Sequence, residues 1–173
     1  KIDRIVATHA DADHIQGLAD VARNFRIGEA WFAKVSGTDP DETRLIAELN
    51  RQGTPLRTVS RGERFEIGGA SVEILSPGDD AFITIKENDR SVVMRIVLGQ
   101  RSFLLTGDAE KEAEARLMSG TSDLHSDVIK VPHHGSKTSS TAAFVDAVRP
   151  RFAVIPVGRR STFGHPHKEV VDR

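Results

Sequence analysis

Four predicted strands of this chain run straight into segments rich in histidine or aspartate, and no other feature constrains the fold as much. "RIVAT" (4–8) leads into "HADADH" (9–14), "RSFLLTGD" ends on Asp108, "DVIKVP" leads into His133-His134, and "FAVIPV" (152–157) is followed by "GHPH" (164–167). Six of the seven histidines lie in these four loops, and only His125 lies outside them. In open α/β sheets, ligands gather beyond the carboxyl ends of strands, where separate loops converge on one site. The pattern therefore asks for an α/β fold that brings these strand ends together.

The remaining elements fit that frame. Ile15, Leu18, Ala22 and Phe25 recur at helical spacing after the first loop, and "EAWFA" (29–33) reads as a strand. Asp39, Pro40 and Glu42 form the start of a capped helix with Leu45, Ile46 and Leu49 facing inward. "RFEIGGASVEIL" (64–75) and "SVVMRIVLGQRSFLLTGD" (91–108) each read as two strands, turning at Gly68-Gly69 and at Gly99-Gln100. A helix over 109–118 closed by Gly120, a helix over 140–148 and a helix start at Pro166 complete the order. With 173 residues and no linker, repeat or low-complexity tract, one domain over 1–173 is expected.

Composition narrows the chemistry. The chain has no cysteine, so any metal must be held by nitrogen and oxygen. No apolar run approaches the roughly 18 residues that span a bilayer, so a soluble domain is expected. Residues 130–173 carry a net +5 and residues 1–129 a net −6, which makes the C-terminal quarter the face for an anionic partner.

Imidazoles and carboxylates in converging loops point to metal coordination, and two ions held close together need a shared carboxylate. In an extended "HADADH" turn, His9, Asp11 and Asp13 point the same way, His14 reaches a second ion, and Asp108 is the natural bridge. Each group has a plainer reading. Asp11 and Asp13 suit a cap for the helix beginning near His14, Asp108 a cap for helix 109–118, and His133-His134 a solvated turn. His165 suits a structural role, and His167 and His125 simple exposure.

The motifs together resemble the metallo-β-lactamase-fold hydrolases, whose usual signature is His-x-His-x-Asp-His where this chain has His-x-Asp-x-Asp-His. With "GERFEIGGASVEILSP", "NDRSVVMRIVLGQRSFLLTGD", "VIKVPHHGSKTSS" and "GHPH", they are similar to the C-terminal β-lactamase-like domain of ComEC-type competence proteins, which take up DNA across the membrane. The resemblance implies a four-layer αββα sandwich, with its first strands upstream of Lys1 and a closing strand beyond Arg173. Carried over by position, His9, Asp13, His14, Asp108 and one of His133 and His134 are metal ligands, with Asp11 in the place of the second histidine. His134, which precedes the glycine, is the favoured ligand of its pair. The superfamily's middle histidine is absent, and Glu87, Asn88 and Asp89 stand in that region. Oxygen donors suit harder ions, so one or two divalent ions, Mn2+ or Zn2+, are expected.

The implied function is a metal-dependent phosphodiesterase, a nuclease acting on single-stranded DNA during uptake, as a soluble part of a protein with a membrane channel. Asp13 or Asp108 would orient the attacking water, His133 or His165 would protonate the leaving oxygen, and Lys130, Lys137, Arg159 and Arg160 would hold flanking phosphates. Two other classes fit the same residues. One is a hydrolase of a small phosphodiester, ester or lactam. The other is a non-catalytic DNA-binding or scaffold domain of a channel.

Overall fold

The computed structural model describes residues 1–173 apart from Ser36, residues 79–85 and Arg160. Its strands form two sheets. The first is parallel, with β1 (Ile2–Ala7), β2 (Ile27–Phe32) and β3 (Leu56–Thr58) in that order. The second runs in chain order through β4 (Arg64–Ile67), β5 (Ala70–Ser76), β6 (Val93–Leu98), β7 (Arg101–Leu105), β8 (Val128–Lys130) and β9 (Phe152–Val154). Strands β4 to β7 pair antiparallel, and β7 to β9 pair parallel. The helices are α1 (Ala12–Asn24), α2 (Pro40–Arg51), α3 (Lys111–Ser119), α4 (Ala142–Val148) and α5 (Lys168–Val171).

Alternation along each strand separates the side chains into layers. On the first sheet Ile5, Ala7, Ala30 and Phe32 face Ile15, Ala19 and Ala22 of α1 and Leu45 and Leu49 of α2. Trp31 points the opposite way, into a second cluster with Val72, Ile74, Val92 and Met94 of the other sheet. The far face of that sheet presents Val93, Leu104 and Ile129 to Ala113 and Leu117 of α3, Phe144 and Val148 of α4, and Val170 of α5. The order is helix, sheet, sheet, helix: a mixed α/β sandwich of four layers. Strand β1 lies over the start of β6, where Val92 N–H donates to Thr8 O at 2.9 Å. Beyond it, Phe103, Leu105, Phe152 and Val154 of the second sheet are exposed. No helix among the described residues is long and apolar enough to cross a membrane.

Several boundaries differ from expectation. Helix α1 starts at Ala12, so Asp13 and His14 sit in a helical first turn rather than in an extended loop. Helix α3 starts at Lys111 behind Glu110, which leaves Asp108 in the preceding turn and not at the cap. Helix α4 follows a Thr141 cap, and α5 begins at Lys168. Strand β3 was not anticipated, because its three residues are all exposed and show no alternation. The Asp39 carboxylate caps α2 by accepting from Glu42 N–H, as its sequence asks.

The inter-sheet layer turns on Trp31, which is 1% exposed, with its ring centroid 4.4 Å from that of Phe65. Trp31→Ala removes the largest side chain between the sheets and should cost about 3–5 kcal/mol. Urea unfolding followed by circular dichroism measures this; a loss under about 1 kcal/mol would contradict the packing described.

Candidate metal centre

The centre forms where β1, β7 and β8 end. Past β1, the chain carries His9 inward and turns into α1, whose first turn presents Asp13 and His14. Past β7, the Thr106-Gly107-Asp108 turn folds tightly enough that a Cβ on Gly107 would lie 2.6 Å from Ser91 Cβ, and Gly107 has φ +53°. Asp108 N–H then donates to Ser91 Oγ at 3.0 Å, and its carboxylate is turned inward and buried. Past β8, His133, His134 and Gly135 follow one another in the left-handed region, at φ +47°, +53° and +79°. Two consecutive non-glycine residues there are strained, and such strain persists where surrounding structure holds a functional geometry.

Two donor groups result, in each of which the ligand atoms lie within 4.8 Å of one another: His9, His14 and Asp108, and Asp13, His14 and His134. Asp108 touches both groups. Its Oδ1 is 3.0 Å from His14 Nε2, and its Oδ2 is 3.2 Å from His134 Nε2. Asp13 Oδ2 is 3.1 Å from His134 Nε2. Asp11 stands at the margin, half exposed, with Oδ2 3.7 Å from His9 Nε2, and belongs to neither group.

Neighbours of the rings aim the nitrogens. His134 Nδ1 lies 2.6 Å from the carbonyl of Pro156, which can only accept, so Nδ1 carries the proton and Nε2 a lone pair. His9 Nδ1 lies 3.0 Å from Thr8 Oγ1 and 3.3 Å from Ser91 Oγ, while its buried Nε2 has no hydrogen-bond partner. The Nε2 atoms of His14 and His134 are only 3.1 Å apart. An orphaned buried nitrogen, a close pair of ring nitrogens and converging carboxylates form a donor set that fits a divalent cation, with outer partners fixing each ring.

Electrostatics agree with that use. Burial, aided by His14, pushes the His9 imidazolium down to about 4, so the ring is neutral at neutral pH as a ligand must be. Burial alone would raise Asp108, but the hydrogen bond from His14 and the charges of Lys130 and the histidines outweigh it and hold the carboxyl below its usual range. Burial and the neighbouring Asp13 and Asp108 raise Asp11.

The other expected site residues fall in different places. Lys130, expected at a flanking phosphate, donates instead to Gly107 O at 2.6 Å and to Asp108 Oδ1 at 3.3 Å; it is largely buried behind the Asp108 carboxylate. His133 belongs to neither donor group; its Nδ1 lies 3.2 Å from Glu110 Oε1. His165 lines an open cleft of about 610 Å³ together with Asp13 and His134. Burial and the adjacent His133 and His167 lower its pKa. Lys137 and Arg159 are exposed, and Arg160 lies outside the described residues. Where the superfamily's middle histidine was sought, Asp89 is buried and accepts from Glu110 N–H and Ala113 N–H, so it binds the start of α3 rather than the donor groups. Thr8, Ser91, Glu110 and the Pro156 carbonyl were not foreseen. Thr8 ends the first strand-like segment and Ser91 begins the second hairpin, but only the fold brings their hydroxyls to one ring.

Residues 1–159 match the profile of the Metallo-beta-lactamase superfamily, and the chain belongs to that family. Its relatives include ComE operon protein 3 of Bacillus subtilis, 30% identical over 171 residues that make up 99% of this chain and 22% of that protein. Competence protein ComA of Neisseria gonorrhoeae is 29% identical over all of this chain and 22% of its own length. Both are ComEC-type competence proteins, and the chain spans about a fifth of each. The crystal structure of CmlA, a diiron β-hydroxylase from Streptomyces venezuelae, shares the fold at a TM-score of 0.59 and 17% identity, over 88% of this chain and 35% of that one.

His9 provides a test of the buried geometry. Unfolded, it titrates near 6.5; folded, near 4, so between those values the unfolded chain binds more protons and stability falls as pH falls. Asp108 has the opposite shift, and its contribution is lost only as pH drops below its ordinary 3.8. Urea midpoints of chelator-treated protein should therefore decline from pH 7 to pH 4.5, by roughly 2–3 kcal/mol from His9. In His9→Asn the slope should flatten; an unchanged slope would contradict the burial of a neutral ring.

Proposed function

We propose that this domain is a metal-dependent phosphodiesterase, a nuclease that cuts DNA during competence-related uptake. The observation that carries the reading is Asp108, a member of one group of nitrogen and oxygen donors and 3.2 Å from His134 of the other, whose Asp13 and His134 line an open cleft. The competence names of the relatives supply the substrate class. The chain matches about a fifth of each relative, which supports placing this domain as a covalently attached part of a larger membrane channel protein.

His9, Asp13, His14, Asp108 and His134 would hold one or two divalent ions, with Asp11 able to join at the His9 side. Bound there, such ions supply an activated water and neutralise charge on the phosphate oxygens. Three imidazoles with several carboxylates give a harder donor set than histidines alone, which favours Mn2+ over Zn2+.

The chain's own residues do the rest. Lys130 fixes the Asp108 carboxylate from behind, and the Thr8, Ser91 and Pro156 oxygens keep the rings aimed. Asp13, exposed on one side, accepts a hydrogen bond from the attacking water. Glu110 accepts from His133 Nδ1, as a carboxylate orients a catalytic imidazole, leaving Nε2 to protonate the leaving oxygen. His165, whose lowered pKa keeps it neutral, is the poorer acid. Lys137 and Arg159 are exposed and available to flanking phosphates, a contact that does not read sequence.

Asp108→Asn keeps the size of the side chain and removes the bridging charge. Metal-dependent cleavage of single-stranded DNA should fall by roughly 10²–10³-fold or more with an unchanged circular dichroism spectrum. Full activity in that variant would overturn the reading. So would a β-lactam turned over faster than DNA or a generic phosphodiester by the wild type.

A further inference from the structure

Phe163 is 78% exposed, the most exposed large apolar side chain among the described residues. Single exposed apolar residues are ordinary on protein surfaces. This one differs in its position, because it lines the same cleft as Asp13 and His134, each a member of a candidate metal donor group. Pro156, Val157, Gly158 and His165 are also part of its lining.

The ring is presented by a built turn. Gly164 N–H donates to Ser161 O at 3.4 Å and His165 N–H to Ser161 Oγ at 3.2 Å, which puts Phe163 near the apex. One face of the ring is stacked on His165, with centroids 5.9 Å apart and planes 29° apart. Its high exposure leaves the rest of the ring open.

The segment carrying the turn is fastened to the donor loop at three points. The Pro156 carbonyl accepts from His134 Nδ1 at 2.6 Å, and His167 N–H donates to Gly135 O at 2.9 Å. Pro166 packs so closely on Gly135 that a Cβ there would lie 2.7 Å from Pro166 Cβ. Phe163 is thus held at a set distance from His134 by the backbone that positions His134.

We propose that Phe163 stacks on an unpaired base of the strand whose phosphate lies at the metal centre, and so selects single-stranded over duplex nucleic acid; the inference rests on the nuclease reading. An aromatic face beside a phosphate site is the usual way a protein grips a single strand without reading its sequence. A base inside a duplex is already stacked on both faces and offers none to Phe163. Arg159, exposed in the segment between the Pro156 carbonyl and the turn, supplies the positive charge that follows the backbone on this side.

The test uses Phe163→Ala and Phe163→Trp in the full chain with Mn2+. Against single-stranded oligothymidylate, Phe163→Ala should raise KM about 5- to 100-fold with kcat changed little. An abasic position beside the cut should cost the wild type a similar factor and cost Phe163→Ala almost nothing more. The only native tryptophan, Trp31, is 1% exposed, so in Phe163→Trp a change of emission reports the new ring. Its emission should be quenched by single-stranded oligonucleotide and not by the matching duplex. Quenching without cleavage by the wild type would overturn the nuclease reading and leave the stacking. Cleavage with an unchanged KM in Phe163→Ala and no quenching would overturn the stacking alone, and equal quenching by duplex would overturn the selection of single strands.

Discussion

Two ring nitrogens, His14 Nε2 and His134 Nε2, face each other across 3.1 Å with both oxygens of a buried aspartate beside them. The Pro156 carbonyl makes the proton sit on the far nitrogen of His134, so its lone pair points at His14. His14 Nε2 also lies 3.0 Å from Asp108 Oδ1, so a cation placed among these atoms would meet two ring nitrogens and a carboxylate at once. Much of the surrounding structure is arranged to sustain this contact: the left-handed backbone of His133 and His134, Lys130 behind Asp108, and the two hydroxyls on His9.

The sandwich brings these groups together from elements far apart in the chain. Strand β1 lies in one sheet and β7 and β8 in the other, and the Val92–Thr8 hydrogen bond joins the two sheets where the loops leave them. Apolar alternation sets which sheet face meets helices and which meets the other sheet, so the loops emerge along one edge of both. A shift of one residue in β1 or β8 would exchange the buried and exposed sides and carry the ligands away from one another. The packing of the sandwich and the geometry of the centre are therefore one problem for this chain.

Much of this was legible in the sequence because it is local. Gly68-Gly69 and Gly99-Gln100 mark the two hairpins, Asp39 announces the cap of α2, and the histidine-rich loops follow apolar strands. Other parts depend on distance in space. Asp13 and His14 were expected in an extended turn, yet they meet the other donors from the first turn of a helix, where consecutive side chains diverge only by about 100°. Lys130 has the charge of a phosphate ligand, but nothing in its spacing shows that β8 buries it against Asp108. Asp89 and Glu110 sit among acidic residues like any surface pair, and only the fold turns one to the start of α3 and the other to His133. Phe163 carries no pattern at all; its meaning comes from the cleft it shares with Asp13 and His134.

The central claim is that these donors exist to hold a cation, and elemental analysis after Mn2+ or Zn2+ loading and gel filtration tests it most directly. The account predicts at least one tightly held ion per chain, lost when Asp108 is replaced by asparagine while the fold persists. Fewer than one ion per chain in the wild type, under either metal, would contradict it and favour a scaffold that has the fold without its chemistry.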